Sequence, residues 1–139
     1  MTSGPIVIID ADTDSTKFYA DVIKGIGVPN NIITFTACEP ALDYLYTTED
    51  KPFIIFSEIQ LEEMSGLELK SIIQRDSYLK EKAIPFVFVT TDTSEETIRK
   101  AHQLHVQGYF EKPKYQVYVE QMLIKIFEYW ELCKHINMT

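Results

Sequence analysis

The sequence predicts an α/β domain built as a doubly wound, five-stranded parallel sheet with helices on both faces. Two observations carry that prediction. Short apolar, β-branched runs recur five times along the 139 residues, each suited to a strand buried on both faces. The segments between them space their apolar residues three and four apart, as amphipathic helices do. Parallel strands separated by helices join one sheet through right-handed crossovers, and these lay helices over both of its faces.

The first strand is Ile6 to Ile9, and Phe18, Val22, Ile23 and Ile26 mark the helix behind it. Ile32 to Thr36 is the second strand, followed by a helix with Ala41, Leu42 and Leu45 on one face. Phe53 to Phe56 is the third, and Leu67, Leu69, Ile72 and Ile73 form the stripe that follows. Pro85 to Thr90 is the fourth, with Ile98, Ala101 and Leu104 behind it. Val106 to Phe110 is the fifth, and a long last helix carries Val119, Leu123, Ile126, Phe127 and Trp130. Five strands thus alternate with five helices. No repeat, low-complexity run or linker interrupts them, so residues 1–139 are expected to form one domain.

Charge and composition narrow the function. A formal charge of -8 disfavours both nucleic acid and anionic membrane surfaces as partners. The apolar runs fall short of the ~18 residues that a membrane span requires. The opening "MTSGPIVIID" lacks the basic segment of a signal peptide, and a cytoplasmic protein is expected. Cys38 and Cys133 lie far apart without metal-ligand spacing and are expected to be free thiols.

In open α/β sheets, ligands gather beyond the carboxyl ends of the strands, where strand order reverses. Here those ends carry Asp10 and Asp12, then Ser57 and Glu58, then Thr90 and Thr91, then Glu111 and Lys112. Singly, each has an ordinary structural explanation: an Asp caps a helix, a Thr bonds backbone, a Lys is solvated. Together, acids, hydroxyls and a lysine at equivalent ends of four strands describe a site.

With these segments the sequence resembles the receiver domain of two-component response regulators over nearly its whole length. "IIDAD" matches the acidic pair, "SEIQLEEMSGLEL" the acceptor loop, "VFVTT" the hydroxyl strand and "GYFEKP" the lysine segment. The family's acceptor Asp lies eight residues before the Gly of the Met-x-Gly segment, which places Glu58 at the acceptor position. The resemblance also implies a flavodoxin-like, receiver-type fold, switch roles for Thr90 and Tyr109, and a cis peptide before Pro113 that aims Lys112 at the site. It implies a histidine kinase or other signalling protein as partner.

Two departures touch the chemistry. Glu58 replaces the phosphoaccepting Asp, and Ala11 replaces the second acid of the pair. Phosphoryl transfer needs a carboxylate nucleophile, a divalent cation and a lysine, and Ala11 offers the cation no oxygen. Asp10 and Glu58 are then left as a weak magnesium pair, or the domain uses no cofactor; Asp12 is expected to start the loop or cap the first helix, with compensation for Ala11 the lesser alternative. The Glu58 carboxylate stands ~1.5 Å farther out than an aspartate's. At 4 Å from Lys112 it would gain about 4 kcal/mol of gross attraction at an effective dielectric near 20. The implied protein is an atypical, stand-alone receiver, a signalling module and not an enzyme, that is not phosphorylated in the usual way. Either Glu58 holds it in one signalling state or the site is degenerate. The alternatives are phosphorylation at Asp10, Asp12 or Ser57 with magnesium, and a flavodoxin-like cofactor protein. The last is disfavoured because "DADTDST" is acidic and lacks the glycine a phosphate cradle uses. Ser57 is expected to face away from the site.

One domain filling the chain leaves output to a surface contact. The last helix carries more large apolar residues than one buried stripe needs, among them Tyr118, Met122, Phe127, Tyr129, Trp130 and Leu132. A partner or homodimer patch on the fourth helix, fifth strand and last helix is expected, with Tyr129 and Trp130 in it.

Overall fold

The computed structural model describes residues 4–133. Its elements run β1 (Ile6–Ile9), α1 (Thr13–Gly25), β2 (Ile32–Phe35), α2 (Cys38–Thr47), β3 (Ile54–Ser57), α3 (Gly66–Arg75), α4 (Ser77–Lys82), β4 (Phe86–Thr90), α5 (Glu95–Gln103), β5 (Gly108–Glu111) and α6 (Gln116–Leu132). All strand pairs are parallel, in the order β2-β1-β3-β4-β5. The doubly wound flavodoxin-like sheet is therefore the one expected. Every residue of β1, β3 and β4 is buried, whereas the edge strands β2 and β5 are only partly covered. This is why the three central strands read as unbroken apolar runs in sequence.

Alternate strand residues point to opposite faces, and two cores result. Ile6, Ile8, Phe56, Val87 and Val89 meet Tyr19 and Ile23 of α1 and Leu123 and Phe127 of α6. Val7, Ile9, Ile55, Phe86 and Phe88 meet Leu45, Leu69, Leu79 and Ala101 from α2 to α5. Among the described residues no helix is long and apolar enough to cross a membrane.

Three details depart from expectation. β3 and β5 start later than the apolar runs, at Ile54 and Gly108. A sixth helix, α4, follows α3 directly: Asp76 closes α3 and caps α4, its carboxylate accepting from the Leu79 N–H at 3.0 Å. "SYLKEK" buries only Leu79, too little for a helical spacing to register. Trp130, expected at the surface, is 8% exposed and belongs to the core under α6, while its neighbour Tyr129 is 61% exposed.

Gly66 opens α3 at a close approach. A Cβ there would lie 2.4 Å from the Glu58 carbonyl oxygen, and the Gly66 N–H donates to the Ile59 carbonyl at 2.9 Å. The glycine eight residues beyond Glu58 thus fixes the loop that carries it. Gly66→Ala is expected to cost about 2 kcal/mol by denaturant melting, as overpacking does; a melt matching the parent would mean the loop yields freely.

Candidate functional site

Strand order reverses between β1 and β3, and their carboxyl ends place Asp10 and Glu58 side by side. Thr90 ends β4 and Lys112 follows β5, so four adjacent strands deliver one residue each. The Lys112 ammonium sits between the two acids, 2.5 Å from Asp10 Oδ2 and 3.7 Å from Glu58 Oε2. The expected attraction of Lys112 to Glu58 is present, but Asp10 is the nearer partner. All three side chains are largely buried, which strengthens their attraction relative to a surface pair. The peptide before Pro113 is trans, not cis. Lys112 reaches the site nonetheless, because its backbone N–H pairs with the Thr90 carbonyl at 2.8 Å and continues the β5 register.

Glu58 Oε1 is surrounded by donors: the Ile59 N–H at 2.8 Å, the Gln60 N–H at 3.3 Å and the Thr90 hydroxyl. Thr90 Oγ1 in turn accepts from the Asp92 N–H at 3.2 Å, a hydroxyl being able to donate and accept at once. The Asp92 carbonyl accepts from the Tyr109 hydroxyl. Asp92 is itself held, its carboxylate accepting from Ser94 N–H and the Thr97 hydroxyl at 2.9 Å each; the Ser94 side chain first, then these bonds, lower its pKa. A continuous path of hydrogen bonds therefore runs from Glu58 through Thr90 and Asp92 to Tyr109. Tyr109 packs edge-on against Phe88 in the α2–α5 core and not on the last helix. Burial, with the charges of Asp92 and Glu58, pushes its hydroxyl up to about 12, so at neutral pH it is always a donor.

Asp12 caps α1 as expected. Its Oδ1 accepts from Asp14 and Ser15 N–H, and its Oδ2 from the Ser15 hydroxyl. Bonds from Ser15 are the main cause of its lowered pKa. Ser57 is buried, with its hydroxyl donating to the Glu58 carbonyl at 2.8 Å. The side-chain donor set does not fit a divalent cation: Ala11 has no side-chain ligand atom, Asp12 is used by the cap, and Asp10 and Glu58 already share an ammonium. Among the described residues no group of three or more His, Cys, Asp or Glu side chains is arranged to hold a metal.

Two members of this neighbourhood escaped sequence reasoning. Asp92 acts through a backbone carbonyl, which no side-chain pattern advertises, although "DTSEET" does carry the signature of a helix cap. Tyr19 lines a cavity of about 10 Å³ behind Asp10, Ser57 and Glu58 with its hydroxyl unpartnered there. It reads in sequence as one more apolar position of α1.

Comparison with known proteins agrees with this fold. A family model described as response regulator receiver domain matches residues 6–128. A probable methanogenesis regulatory protein, FilR2 of Methanothrix harundinacea, is 28% identical over 90% of this chain and 82% of its own. The crystal structure of the phosphorylated cyanobacterial phytochrome response regulator RcpA superposes with a TM-score of 0.85 at 23% identity, covering 95% of this chain and 96% of that one. The Mn(2+)-bound form of response regulator Rcp1 does so at 0.82 and 21%, covering 95% and 97%. The two structures share the fold.

Proposed function

We propose that this chain, which belongs to the response regulator receiver domain family, is a signalling receiver held in one state by its own Glu58 instead of by a phosphoryl group, and that it acts by protein contact and not as an enzyme. The observation that carries the reading is the path from the Glu58 carboxylate through Thr90 and Asp92 to the partly buried hydroxyl of Tyr109. A carboxylate can bias the switch only if it interacts better with one state than with the other. Drawing in the Thr90 hydroxyl supplies that difference, because a charge-assisted bond is about twice as strong as a neutral one. The same arrangement speaks against a neighbouring acceptor: Asp10 is tied to Lys112, Asp12 to α1, and Ser57 is closed off from solvent.

The state would be read at the α5, β5 and α6 surface, where Tyr109 lies on β5 and Tyr118 and Tyr129 stand exposed on α6. A histidine kinase or another signalling protein is the proposed kind of partner, and no bound cation is needed.

Incubation with magnesium and a small-molecule phosphodonor tests the reading. No hydroxylamine-sensitive mass gain of one phosphoryl group is expected, and amide exchange at Asp92 should be unchanged by the donor. A stoichiometric adduct on Glu58 or Asp10 would overturn it.

A further inference from the structure

The ring of Tyr19 belongs to the core between the sheet, α1 and α6, and only 6% of the residue is exposed. Its hydroxyl reaches past that core into the cavity of about 10 Å³, where no group of the described residues bonds it. A buried hydroxyl without a partner is costly. Burial, then the charges of Asp10 and Glu58, push this one up to about 12, so it keeps its proton at neutral pH and needs an acceptor. Acceptors with room to spare line the same cavity. A carboxylate offers about four lone-pair positions. Asp10 fills two, with the Asp12 N–H at 2.9 Å and the Lys112 ammonium. Glu58 commits Oε1 to three donors, whereas Oε2 has, among the described residues, only the Lys112 ammonium at 3.7 Å.

We propose that this cavity is the site of one buried water, which accepts from the Tyr19 hydroxyl and donates one proton to Asp10 and the other to Glu58. Size selects water, since about one water-sized sphere is what the space holds. Charge and hydrogen bonding select it too. An anion would meet two carboxylates. A magnesium ion wants near-ideal octahedral oxygens and would face a hydroxyl presenting its proton. Water gives and receives at once, and three bonds are usual for one that is buried. One nitrogen already touches both acids, at 2.5 and 3.7 Å, so one oxygen can do the same.

Tyr19 is thereby a positioning residue for the acid pair. Lys112 ties Asp10 to Glu58 from the β5 side, and the water ties them from the α1 side. Tyr19 lies in the α1–α6 core and Tyr109 in the α2–α5 core, so the two tyrosines brace the site from opposite faces of the sheet. Ser15 and Tyr19 also line an open groove of about 410 Å³ between α1 and the segment from Lys112 to Gln116. Those two side chains separate the water from solvent. The site stands whether or not Glu58 sets the signalling state.

Two conservative substitutions test it through the sign of their effect. Tyr19→Phe takes away the donor to the water, and the folding equilibrium constant is expected to fall about fivefold in denaturant melts. A merely stranded hydroxyl would give the reverse, because its removal relieves an unpaired polar group. Val89→Ile adds carbon to the cavity wall. It should expel the water, lowering the count of long-lived internal waters by one in water-oxygen magnetic relaxation dispersion. The carboxyl carbon resonances of Asp10 and Glu58 should shift in Tyr19→Phe but not in Tyr44→Phe, which removes another buried hydroxyl from the other core. Folding of Tyr19→Phe as tight as the parent's or tighter, or equal dispersion in the parent and Val89→Ile, would overturn the water. Carboxyl resonances unmoved by Tyr19→Phe would overturn its hold on the acids. None of these results bears on Glu58 as the setter of the state, which exchange at Asp92 judges.

Discussion

Glu58→Gln is expected to loosen the path to Tyr109 without unfolding the domain. Glutamine keeps the length and one acceptor oxygen, so the Ile59 and Gln60 N–H groups retain a partner. What it loses is charge. The bond from the Thr90 hydroxyl falls from the charge-assisted class, worth about 1.5–3 kcal/mol, to the neutral class near 1 kcal/mol. A difference of about 1.4 kcal/mol is tenfold in a two-state ratio. The Asp92 N–H donates to Thr90 Oγ1, so its exchange with deuterium should quicken about tenfold. The ring of Tyr109, which donates to the Asp92 carbonyl, should show a second environment by NMR. Glu58→Asp combined with Ala11→Asp should go further and make the same exchange respond to phosphodonor. Were exchange at Asp92 identical in the parent and in Glu58→Gln, the carboxylate would not be setting the state, and Glu58 would be a structural remnant that keeps its loop in place.

The strands and the site edge were legible because burial on both faces leaves a sequence signature. Ile6–Ile9, Ile54–Ser57 and Phe86–Thr90 admit no polar side chain before their carboxyl ends, so the first polar residues there mark the edge. The register of Glu58 was legible through the spacing from acceptor to glycine that the family resemblance implies, and a steric reason lies behind it: a Cβ at Gly66 would stand 2.4 Å from the Glu58 carbonyl oxygen. Other features had no local signal. Whether Trp130 or Tyr129 faces out is a choice between neighbours on a helix rich in large apolar residues, and the direction of the core decides it. The nearer partner of Lys112 depends on where Asp10 stands 102 residues away. The trans peptide before Pro113 escaped because the lysine is aimed by its ladder bond to Thr90 and not by the proline.

Removing the ammonium should have the largest effect on the folded state. Asp10 and Glu58 cannot stand more than about 6 Å apart, since one nitrogen lies 2.5 Å from the first and 3.7 Å from the second. Without it, two largely buried carboxylates repel by about 3 kcal/mol at an effective dielectric near 20. Breaking a buried pair by deleting one partner is of the same order. Lys112→Ala is therefore expected to lose about 3 kcal/mol at pH 7, whereas Lys114→Ala, at an exposed neighbour, should melt like the parent. The vacated place is also where a divalent cation would do what the ammonium does. Magnesium at a hundred times its dissociation constant would return about 2.7 kcal/mol. The variant should thus melt markedly higher in millimolar magnesium while the parent barely moves. Ala11→Asp, which adds an oxygen but leaves the lysine in place, should respond less than Ala11→Asp with Lys112→Ala. If magnesium stabilises the parent as much as Lys112→Ala, the ammonium does not occupy the cation's place, and the site works as an ordinary metal-dependent receiver pocket.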